Sequence, residues 1–289
     1  MDFNAIDWNE MWQEASGRLN GDQKAQKDIW NRRAESFSKR IIRVVDGREG
    51  LDKDDYISKM LARIEVKPEW SVLDIGCGPG TLTIPLAKKV KSITALDISS
   101  EMLKFLKINA DKSGLNNINY LVSSWQDALA GDKIGEHDVV VASRSLMSGD
   151  MKSAIYKINS ITRQAAYITF PVIHLPLDFE VYKAIGREDK KHAPYIYIYN
   201  MLYQMGIMAN VEILYSKVKV QFPSIEETIK DLQWRTAPFT PSEIIKLKEF
   251  LKKKFAEQKN SQVFTHEGFS IWALIWWSKK ICKYDDRVY

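Results

Sequence analysis

The sequence has 289 residues, a length that predicts one large domain or one domain with substantial additions. Hydrophobic residues make up 45% of it and charged residues 27%, so disordered, collagen-like and low-complexity classes are excluded. The formal net charge of +5 is far weaker than the basic excess of most dedicated nucleic-acid binders. Charge alone therefore identifies no partner.

The cysteine content and the length of the apolar runs limit the cellular locations that the sequence predicts. The two cysteines, Cys77 and Cys282, are too few for a disulfide framework or a structural metal cage, so we expect no metal. The first seven residues contain neither a basic region nor an apolar stretch, which predicts no signal peptide and a cytoplasmic protein. The longest apolar run, residues 269–277, is far shorter than the roughly 20 residues of a membrane-spanning helix.

Residues 1 to about 64 are predicted to be helical and to form a cap on one end of the core. Trp8, Met11 and Trp12 recur at helical spacing. A second apolar stripe at the same spacing consists of Ile29, Trp30, Arg33, Ala34, Phe37, Ile41 and Ile42. Residues 46–54 predict a charged loop, and residues 55–64 predict a third helix.

From Pro68 onward, short apolar or β-branched runs alternate with segments of helical length. The predicted strands are 72–75, 93–98, 118–122, 139–141 and 166–170. The predicted helices are 82–89, 101–112, a short helix after 122, and 151–162. This alternation predicts a parallel sheet with helices on both faces.

The last part of the chain does not continue this alternation of strands and helices. Residues 171–194 contain three prolines and a charged stretch, and we expect an insert there. Pro194 and Gly206 bound a predicted helix, although the alternation at 195–199 also allows a strand. The remaining predictions are long strands at 212–222 and 269–278, separated by helices at 224–234 and 242–259.

The most informative segment is the glycine turn at 76–80, which follows the first predicted strand and leads into a helix. Glycines let the backbone approach a ligand closely, and free N–H groups at a helix start favour an anionic group. Gly76, Gly78 and Gly80 are spaced G-x-G-x-G. The dinucleotide fingerprint requires a third glycine where this sequence has Thr81, so binding of NAD or FAD is disfavoured.

Carboxylates lie at or near the ends of three consecutive predicted strands. Asp97 comes 21 residues after the first glycine of the turn, where an acid accepts hydrogen bonds from two ribose hydroxyls. Asp127 is placed to accept from the exocyclic amine of a base, with Trp125 or Ile98 covering a ring face. Asp74, beside the glycine turn, suits a ligand ammonium. The alternative is that Asp97 and Asp127 are helix N-caps.

The stretch from about residue 70 to 127 resembles the class I S-adenosylmethionine-dependent methyltransferases, whose hydrophobic-Asp-hydrophobic-Gly-x-Gly-x-Gly motif it matches. The resemblance implies that S-adenosylmethionine is the cofactor. The residues implied at its methionine end are Asp74, Gly76, Cys77, Gly78 and Gly80. The residues implied at its adenosine are Asp97 for the ribose, Ile98 and Met102 beside the adenine, and Asp127 near the adenine amino group.

Within that class, the sequence looks most like the small-molecule (type 11) group that includes the ubiquinone and menaquinone biosynthesis methyltransferases. The likeness is carried by residues 97–103 and by the Trp-x-x-Arg-Ala-x-x-Phe pattern at 30–37. It implies an α/β fold: a Rossmann-like, seven-stranded, mostly parallel sheet with helices on both faces and an antiparallel last strand. The expected domains are a helical cap at 1–64 and a methyltransferase domain at 65–289, with an insert or lid at 171–194.

The methyl acceptor is harder to predict. The end of the fourth strand faces the cofactor methyl group in this family, so Ser143 is included among the cofactor-binding residues. Residues 142–146 show none of the motifs of amino-group, arginine or cytosine-5 methyltransferases. Arg144 is a candidate for binding an acidic substrate or for a salt bridge at a loop end. Further candidates are His174 as general base and His192, Tyr195, Tyr199 and Tyr203 as lining residues.

We therefore expect an S-adenosylmethionine-dependent methyltransferase that acts on a small molecule, with no nucleic-acid partner. An RNA or protein acceptor is the alternative, on the basis of the net charge, the lysine run at 252–254 and the nine tryptophans. A third possibility is an S-adenosylmethionine-binding accessory protein without acceptor chemistry, because the sequence presents no clear catalytic base.

Overall fold

The computed structural model describes residues 3–16, 23–45, 56–128, 134–146, 148–172, 176–187, 193–235, 239–257 and 264–279. The strands are β1 (Ser71–Ile75), β2 (Ser92–Asp97), β3 (Ile118–Val122), β4 (His137–Ala142), β5 (Thr162–Pro171), β6 (Asn210–Phe222) and β7 (Phe264–Ser278). The helices are α1 (Trp8–Ala15), α2 (Gln23–Val45), α3 (Tyr56–Arg63), α4 (Thr83–Ala87), α5 (Ser100–Lys112), α6 (Trp125–Ala128), α7 (Met151–Ile161), α8 (Pro176–Ile185), α9 (Tyr195–Gln204), α10 (Ile225–Arg235) and α11 (Pro241–Glu257).

The described strands form one seven-stranded sheet in the order β3-β2-β1-β4-β5-β7-β6. β1 pairs in parallel with β2 and β4, and the β2–β3 and β4–β5 pairs are also parallel. β7 runs antiparallel to β5, so the predicted α/β fold with its antiparallel last strand is confirmed. The chain continues from β1 to β2 and β3 on one side and later returns to β4 on the other side of β1. The carboxyl ends of β1 and β4 therefore border the crevice where such sheets bind ligands.

The central strands β1 and β4 are buried on both faces because their side chains alternate between two core clusters. Val72 and Val139 belong to one cluster, to which α5 contributes, whereas their neighbours Leu73 and Val140 belong to the other, to which α7 contributes. The period of two therefore makes the central strands apolar throughout, as the sequence pattern predicts.

The N-terminal helices are fixed to the sheet by specific contacts. In α1, the indole Nε1 of Trp12 donates to the carbonyl oxygen of Ser148 over 2.9 Å, and its ring meets Phe170 edge-on at 5.7 Å. In α2, which packs along α5, Asn31 Oδ1 accepts a 2.7 Å hydrogen bond from the hydroxyl of Ser99. The first and second helices thus reach the carboxyl-end edge of the sheet.

The apolar stripes predicted for this region are only partly observed. Ala34 is buried, but Ile29 of the second stripe and Met11 of the first are 37% and 38% exposed, because helical spacing alone does not decide which face contacts the core. The side chains of Ile41 and Ile42 and the charged loop predicted at 46–54 lie outside the described residues.

By its contacts the chain divides into two compact units. One consists of Met1–Pro171, Ala193–Leu214 and Trp272–Tyr289, and the other of Val172–His192 and Tyr215–Ile271. The second unit has its own apolar core, built from α8, α10 and α11 with the ends of β6 and β7. There the Nε and Nη2 atoms of Arg187 donate to the two carboxylate oxygens of Glu243 over 2.6 and 2.8 Å. The predicted boundaries at residues 64, 171 and 194 stay a prediction.

Helix α8 was not predicted, and it lies within the segment expected to be an insert. Leu177, Val181 and Ile185 are all buried and recur every four residues, which places them on one face of the helix. The prolines of this segment obscured that pattern, although Pro176 occupies the first helical position, where proline is tolerated.

The helix preferred over a strand at 195–199 is confirmed as α9. Among the helices that the structure describes, none is long and apolar enough to cross a membrane.

Candidate functional site

The glycine turn between β1 and α4 lies across the carboxyl end of β2. The N–H groups of Gly76 and Cys77 both donate to the carbonyl oxygen of Leu96, over 2.7 and 3.0 Å. The three glycines of the turn have φ values of 68°, 53° and 103°, a region that L side chains rarely adopt. Helix α4 spans only five residues; it begins one residue later and ends two residues earlier than the predicted 82–89.

Each glycine of the turn meets different surroundings. A Cβ on Gly76 would lie 2.2 Å from the Cβ of Ser145, and one on Gly80 would lie 2.5 Å from Cδ1 of Leu106. A Cβ on Gly78 would meet no heavy atom within 4 Å. Packing within the protein therefore requires two of the glycines, whereas Gly78 leaves its outer side open for a ligand to approach.

Asp97, the last residue of β2, connects the glycine turn to the start of α5. Its Oδ2 accepts from the N–H of Gly78 over 2.9 Å, and its Oδ1 accepts from the N–H of Ser99 over 2.8 Å. Burial raises the pKa of Asp97 above its ordinary value, and the two hydrogen bonds oppose that shift. Each carboxylate oxygen keeps a lone pair for a further donor.

The N-cap alternative for Asp97 is wrong. The residue that caps α5 is Ser99, whose hydroxyl accepts from the N–H of Met102 over 3.1 Å. The carboxylate of Asp97 therefore does not cap α5; it accepts from the N–H groups of the capping residue Ser99 and of Gly78 in the turn.

Asp74 is a second buried carboxylate at the same edge, only 2% exposed. The hydroxyl of Thr83 donates to its Oδ2 over 2.6 Å. Burial raises the pKa of Asp74 to about 6; the Thr83 bond lowers this pKa, and the charge of Asp97 raises it. Within the described part of the chain, neither aspartate has a lysine or arginine partner. A positively charged ligand is the partner that this pair favours.

The residues predicted beside an adenine surround the same edge. Met102 and Trp125 are buried, and Ile98 is half-buried. Cys77 is buried and free, and burial raises its pKa well above the ordinary value, so this thiol supplies apolar surface and not a nucleophile. The buried Nε1 of Trp125 has no hydrogen-bond partner among the described atoms, so it remains a donor for a ligand acceptor.

Asp127 is exposed in the first turn of α6. The hydroxyl of Ser124 accepts from the N–H of Asp127 over 3.1 Å and donates to its Oδ2 over 2.7 Å. Ser124 thus occupies the capping position, and the N-cap alternative for Asp127 is also wrong. The adenine contact predicted for Asp127 stays a prediction.

Beyond β4, Ser143 and Arg144 contact α3 and β5. The hydroxyl of Tyr56 shares hydrogen bonds with Ser143 Oγ at 2.8 Å and with Thr169 Oγ1 at 2.9 Å. The N–H of Arg144 donates to Thr169 Oγ1 over 2.9 Å, and its guanidinium carbon lies 4.4 Å from the centre of the Tyr56 ring. Arg144 thus makes a cation–π contact, and it forms no salt bridge, the alternative considered for it, with any residue that the structure describes.

The other acceptor candidates are spread along the chain. His174 and His192 lie outside the described residues. Tyr195 packs half-buried against the core at the start of α9, and Tyr203, on the same helix, is 55% exposed and meets Phe3 edge-on at 5.4 Å. A contribution of these side chains to an acceptor pocket stays a prediction.

Several residues at this edge were not singled out from the sequence. Asn31 lies inside the pattern at 30–37, which marks the segment without pointing to that side chain. Tyr56 and Thr169 belong to no motif, and the Tyr56 hydroxyl bonds to partners 87 and 113 residues away. Only the tertiary structure shows that these residues meet.

The mostly parallel sheet, the open glycine turn and the two buried carboxylates are features typical of α/β proteins that bind a nucleoside-containing ligand at the carboxyl ends of their strands. Among the described residues, no group of three His, Cys, Asp or Glu side chains is gathered as a metal site would require.

Comparisons with known proteins identify the family. Residues 67–193 match a family described as a methyltransferase domain. An uncharacterized protein of Haemophilus influenzae is 33% identical over 243 residues, covering 84% of this chain and 88% of that protein. The ubiquinone biosynthesis O-methyltransferase of Nitrosomonas europaea is 27% identical over 135 residues, covering 46% of this chain and 55% of that protein.

A solved structure shares the fold. Magnesium protoporphyrin IX methyltransferase from Synechocystis PCC 6803, with bound S-adenosylhomocysteine, matches with a TM-score of 0.50 and 20% identity, covering 67% of this chain and 93% of that one. The chain belongs to the class I S-adenosylmethionine-dependent methyltransferases, and S-adenosylmethionine is its cofactor. The open side of Gly78 and the two carboxylates without a basic partner among the described residues fit this cationic, ribose-containing group.

Proposed function

We propose that the enzyme transfers the methyl group of S-adenosylmethionine to a small molecule. The observation that carries the proposal is the cover over the carboxyl ends of β4 and β5. Trp12 of α1 meets Phe170, and Tyr56 of α3 bonds to Ser143 and Thr169; Trp12 and Tyr56 are 5% and 3% exposed. A strand end enclosed in this way suits a compact acceptor better than a polymer. The similarity to a ubiquinone biosynthesis O-methyltransferase supports the same class of acceptor.

We assign the cofactor contacts to residues at the ends of β1 and β2. Asp97 accepts hydrogen bonds from the ribose hydroxyls, and Asp74 balances the positive charge of the cofactor's ammonium group. The other assigned contacts are the turn residues Gly76, Cys77, Gly78 and Gly80, the adenine neighbours Ile98, Met102, Trp125 and Asp127, and Ser143 at the end of β4. When bound, the cofactor supplies an electrophilic methyl group. The protein fixes the alignment of the acceptor with that group and excludes water, which are the main demands of an in-line displacement.

A label-transfer assay tests the class of acceptor. Purified enzyme is incubated with methyl-labelled S-adenosylmethionine and, in separate reactions, with the low-mass metabolites, total RNA and total protein of a cell extract. We expect label in the low-mass fraction and release of S-adenosylhomocysteine. Label confined to RNA or protein, or label in none of the three, would overturn the proposal.

The pH dependence of cofactor affinity should follow Asp74. Because its pKa is about 6, the carboxylate that balances the cofactor charge is lost below that pH, and affinity should fall about tenfold between pH 7 and pH 5. Thr83→Val removes the hydrogen bond that lowers this pKa, so the midpoint should move to higher pH, whereas Thr83→Ser should keep it. Calorimetric titration with S-adenosylhomocysteine across this range measures the midpoint; identical midpoints in all three proteins would contradict the assignment.

The same pKa predicts an opposite effect on the stability of the cofactor-free protein. The folded-state pKa of about 6 lies above the ordinary 3.8, so Asp74 stabilises the fold most at low pH, and this contribution, about 3 kcal/mol, is lost as the pH rises from 4 to 6. Asp74→Asn should remove this component. The difference in thermal stability between Asp74→Asn and wild type should therefore favour the variant increasingly as the pH rises through that range.

A further inference from the structure

Arg144 adopts a backbone conformation that is unusual for its residue type. With φ of 56°, it is the single non-glycine residue in the left-handed region within the described part of the chain. A side chain with a Cβ is disfavoured there, and such residues persist where their surroundings fix them, often at ligand sites. Arg144 follows the last residue of β4 by two positions, which places it at the ligand-binding edge of the sheet.

A buried hydrogen-bonded group holds this conformation. The N–H of Arg144 donates to Thr169 Oγ1, which is also bonded to the hydroxyl of Tyr56. Tyr56 and Thr169 are 3% and 2% exposed, so the support is rigid. The guanidinium carbon lies 4.4 Å from the ring centre of Tyr56 and 5.9 Å from that of Trp272, and these two rings meet edge-on. Two aromatic rings therefore fix the position of the guanidinium charge of Arg144.

The guanidinium keeps its donors available. A cation–π contact does not pair the guanidinium with a hydrogen-bond acceptor atom, so its N–H groups can still donate to a ligand. The side chain of Arg144 is exposed, and among the described residues no carboxylate accepts from it. By contrast, three other described arginines, Arg63, Arg163 and Arg187, each form an ion pair with a carboxylate.

Arg144 also stands next to the segment that contacts the cofactor turn. The following residue, Ser145, donates from its hydroxyl to the carbonyl oxygen of Ile75 and lies against Gly76. The charged group is thus carried by a loop in direct contact with the turn assigned to the cofactor. A ligand held by Arg144 would lie beside that turn.

We propose that Arg144 binds an oxyanion of the methyl acceptor, a carboxylate or a phosphate, so that the substrate class is an acidic small molecule. This inference rests on the proposed function. Arginine is suited to the task because its planar fork donates two parallel hydrogen bonds to either oxyanion. The contacts with the Tyr56 and Trp272 rings fix the position of the guanidinium carbon, and so restrict where the oxyanion is bound.

Binding of small probes tests the inference without turnover. Ligand-observed NMR is recorded on the enzyme saturated with S-adenosylhomocysteine, with benzoate and phenyl phosphate as anions and benzamide as the neutral analogue. We expect at least one anion to bind, and the anion that binds identifies the oxyanion. The signal should disappear in Arg144→Gly, which suits the positive φ, and in Arg144→Gln, while Arg163→Gln retains it. Benzamide binding equal to that of both anions, or anion binding unchanged in Arg144→Gly, would overturn the inference.

Turnover separates this inference from the proposed function. Low-mass metabolites are divided on an anion exchanger, and the retained fraction should support wild-type methyl transfer. Arg144→Gly should raise the acceptor KM about 10- to 100-fold without changing cofactor affinity. Turnover confined to the unretained fraction would overturn the role of Arg144 and leave the small-molecule acceptor standing. Absence of turnover with both fractions would overturn the proposal of a small-molecule acceptor. In that case the NMR binding experiments with benzoate and phenyl phosphate alone decide whether Arg144 binds an anion.

Discussion

Replacement of Asp97 by alanine is expected to weaken binding of S-adenosylhomocysteine about a thousandfold. The carboxylate is assigned to two ribose hydroxyls, and each charge-assisted hydrogen bond contributes about 2 kcal/mol. The side chain also accepts from the N–H groups of Gly78 and Ser99, so its loss releases the glycine turn that we assign to the cofactor. Calorimetric titration of the purified variant measures the effect.

Two further variants show whether such a loss is specific. Asp111→Ala removes an exposed carboxylate near the far end of α5 and should leave cofactor affinity within about twofold of wild type. Asp97→Asn keeps one acceptor oxygen and should lie between the alanine variant and wild type. An Asp97→Ala protein that remains folded by circular dichroism and binds within threefold of wild type would refute the ribose assignment.

Gly78→Ala should lower cofactor affinity about 100-fold, whereas Gly114→Ala should leave affinity unchanged. The two glycines are closely matched: their φ values are 53° and 66°, and a Cβ on either meets no heavy atom within 4 Å. Both substitutions should therefore destabilise the fold similarly, by about 1 kcal/mol, through backbone strain alone. Only Gly78 lies in the turn assigned to the cofactor, where an added methyl group would occupy the proposed approach of the ligand.

Thermal unfolding and calorimetric titration of the two alanine variants measure both quantities. Equal losses of stability with unequal losses of affinity would place the cofactor against Gly78. Equal affinities for the two variants would show that the open side of this glycine does not face the cofactor.

The fold was predictable where the sequence pattern is local and repeated. The predicted strands at 72–75 and 118–122 agree closely with β1 and β3, because apolar runs between helical segments are typical of a parallel sheet. The prediction was weaker near the second unit. β7 begins at Phe264 and not at 269, because polar residues and a glycine in its first part break the apolar run by which the strand was recognised.

The two parts of the candidate site, the glycine turn with Asp97 and the surroundings of Arg144, also differ in how far the sequence predicts them. The glycine turn and Asp97 were recognised because both belong to one strand–helix–strand unit, within which spacing along the chain determines position in space. The support of Arg144 combines α3, β5 and β7, which are far apart in sequence. No local sequence pattern predicts a contact between elements that are far apart in the chain, and so Tyr56, Thr169 and Trp272 were not singled out.

The contact between Gly76 and Ser145 joins the glycine turn to the loop after β4. The two positions are 69 residues apart, yet there is no room for a Cβ on one while the other has a side chain. A bulkier residue at 145 would push against the turn assigned to the cofactor, and a Cβ at 76 would push against the loop that carries Arg144. A substitution at either position is therefore expected to disturb the turn and the loop together.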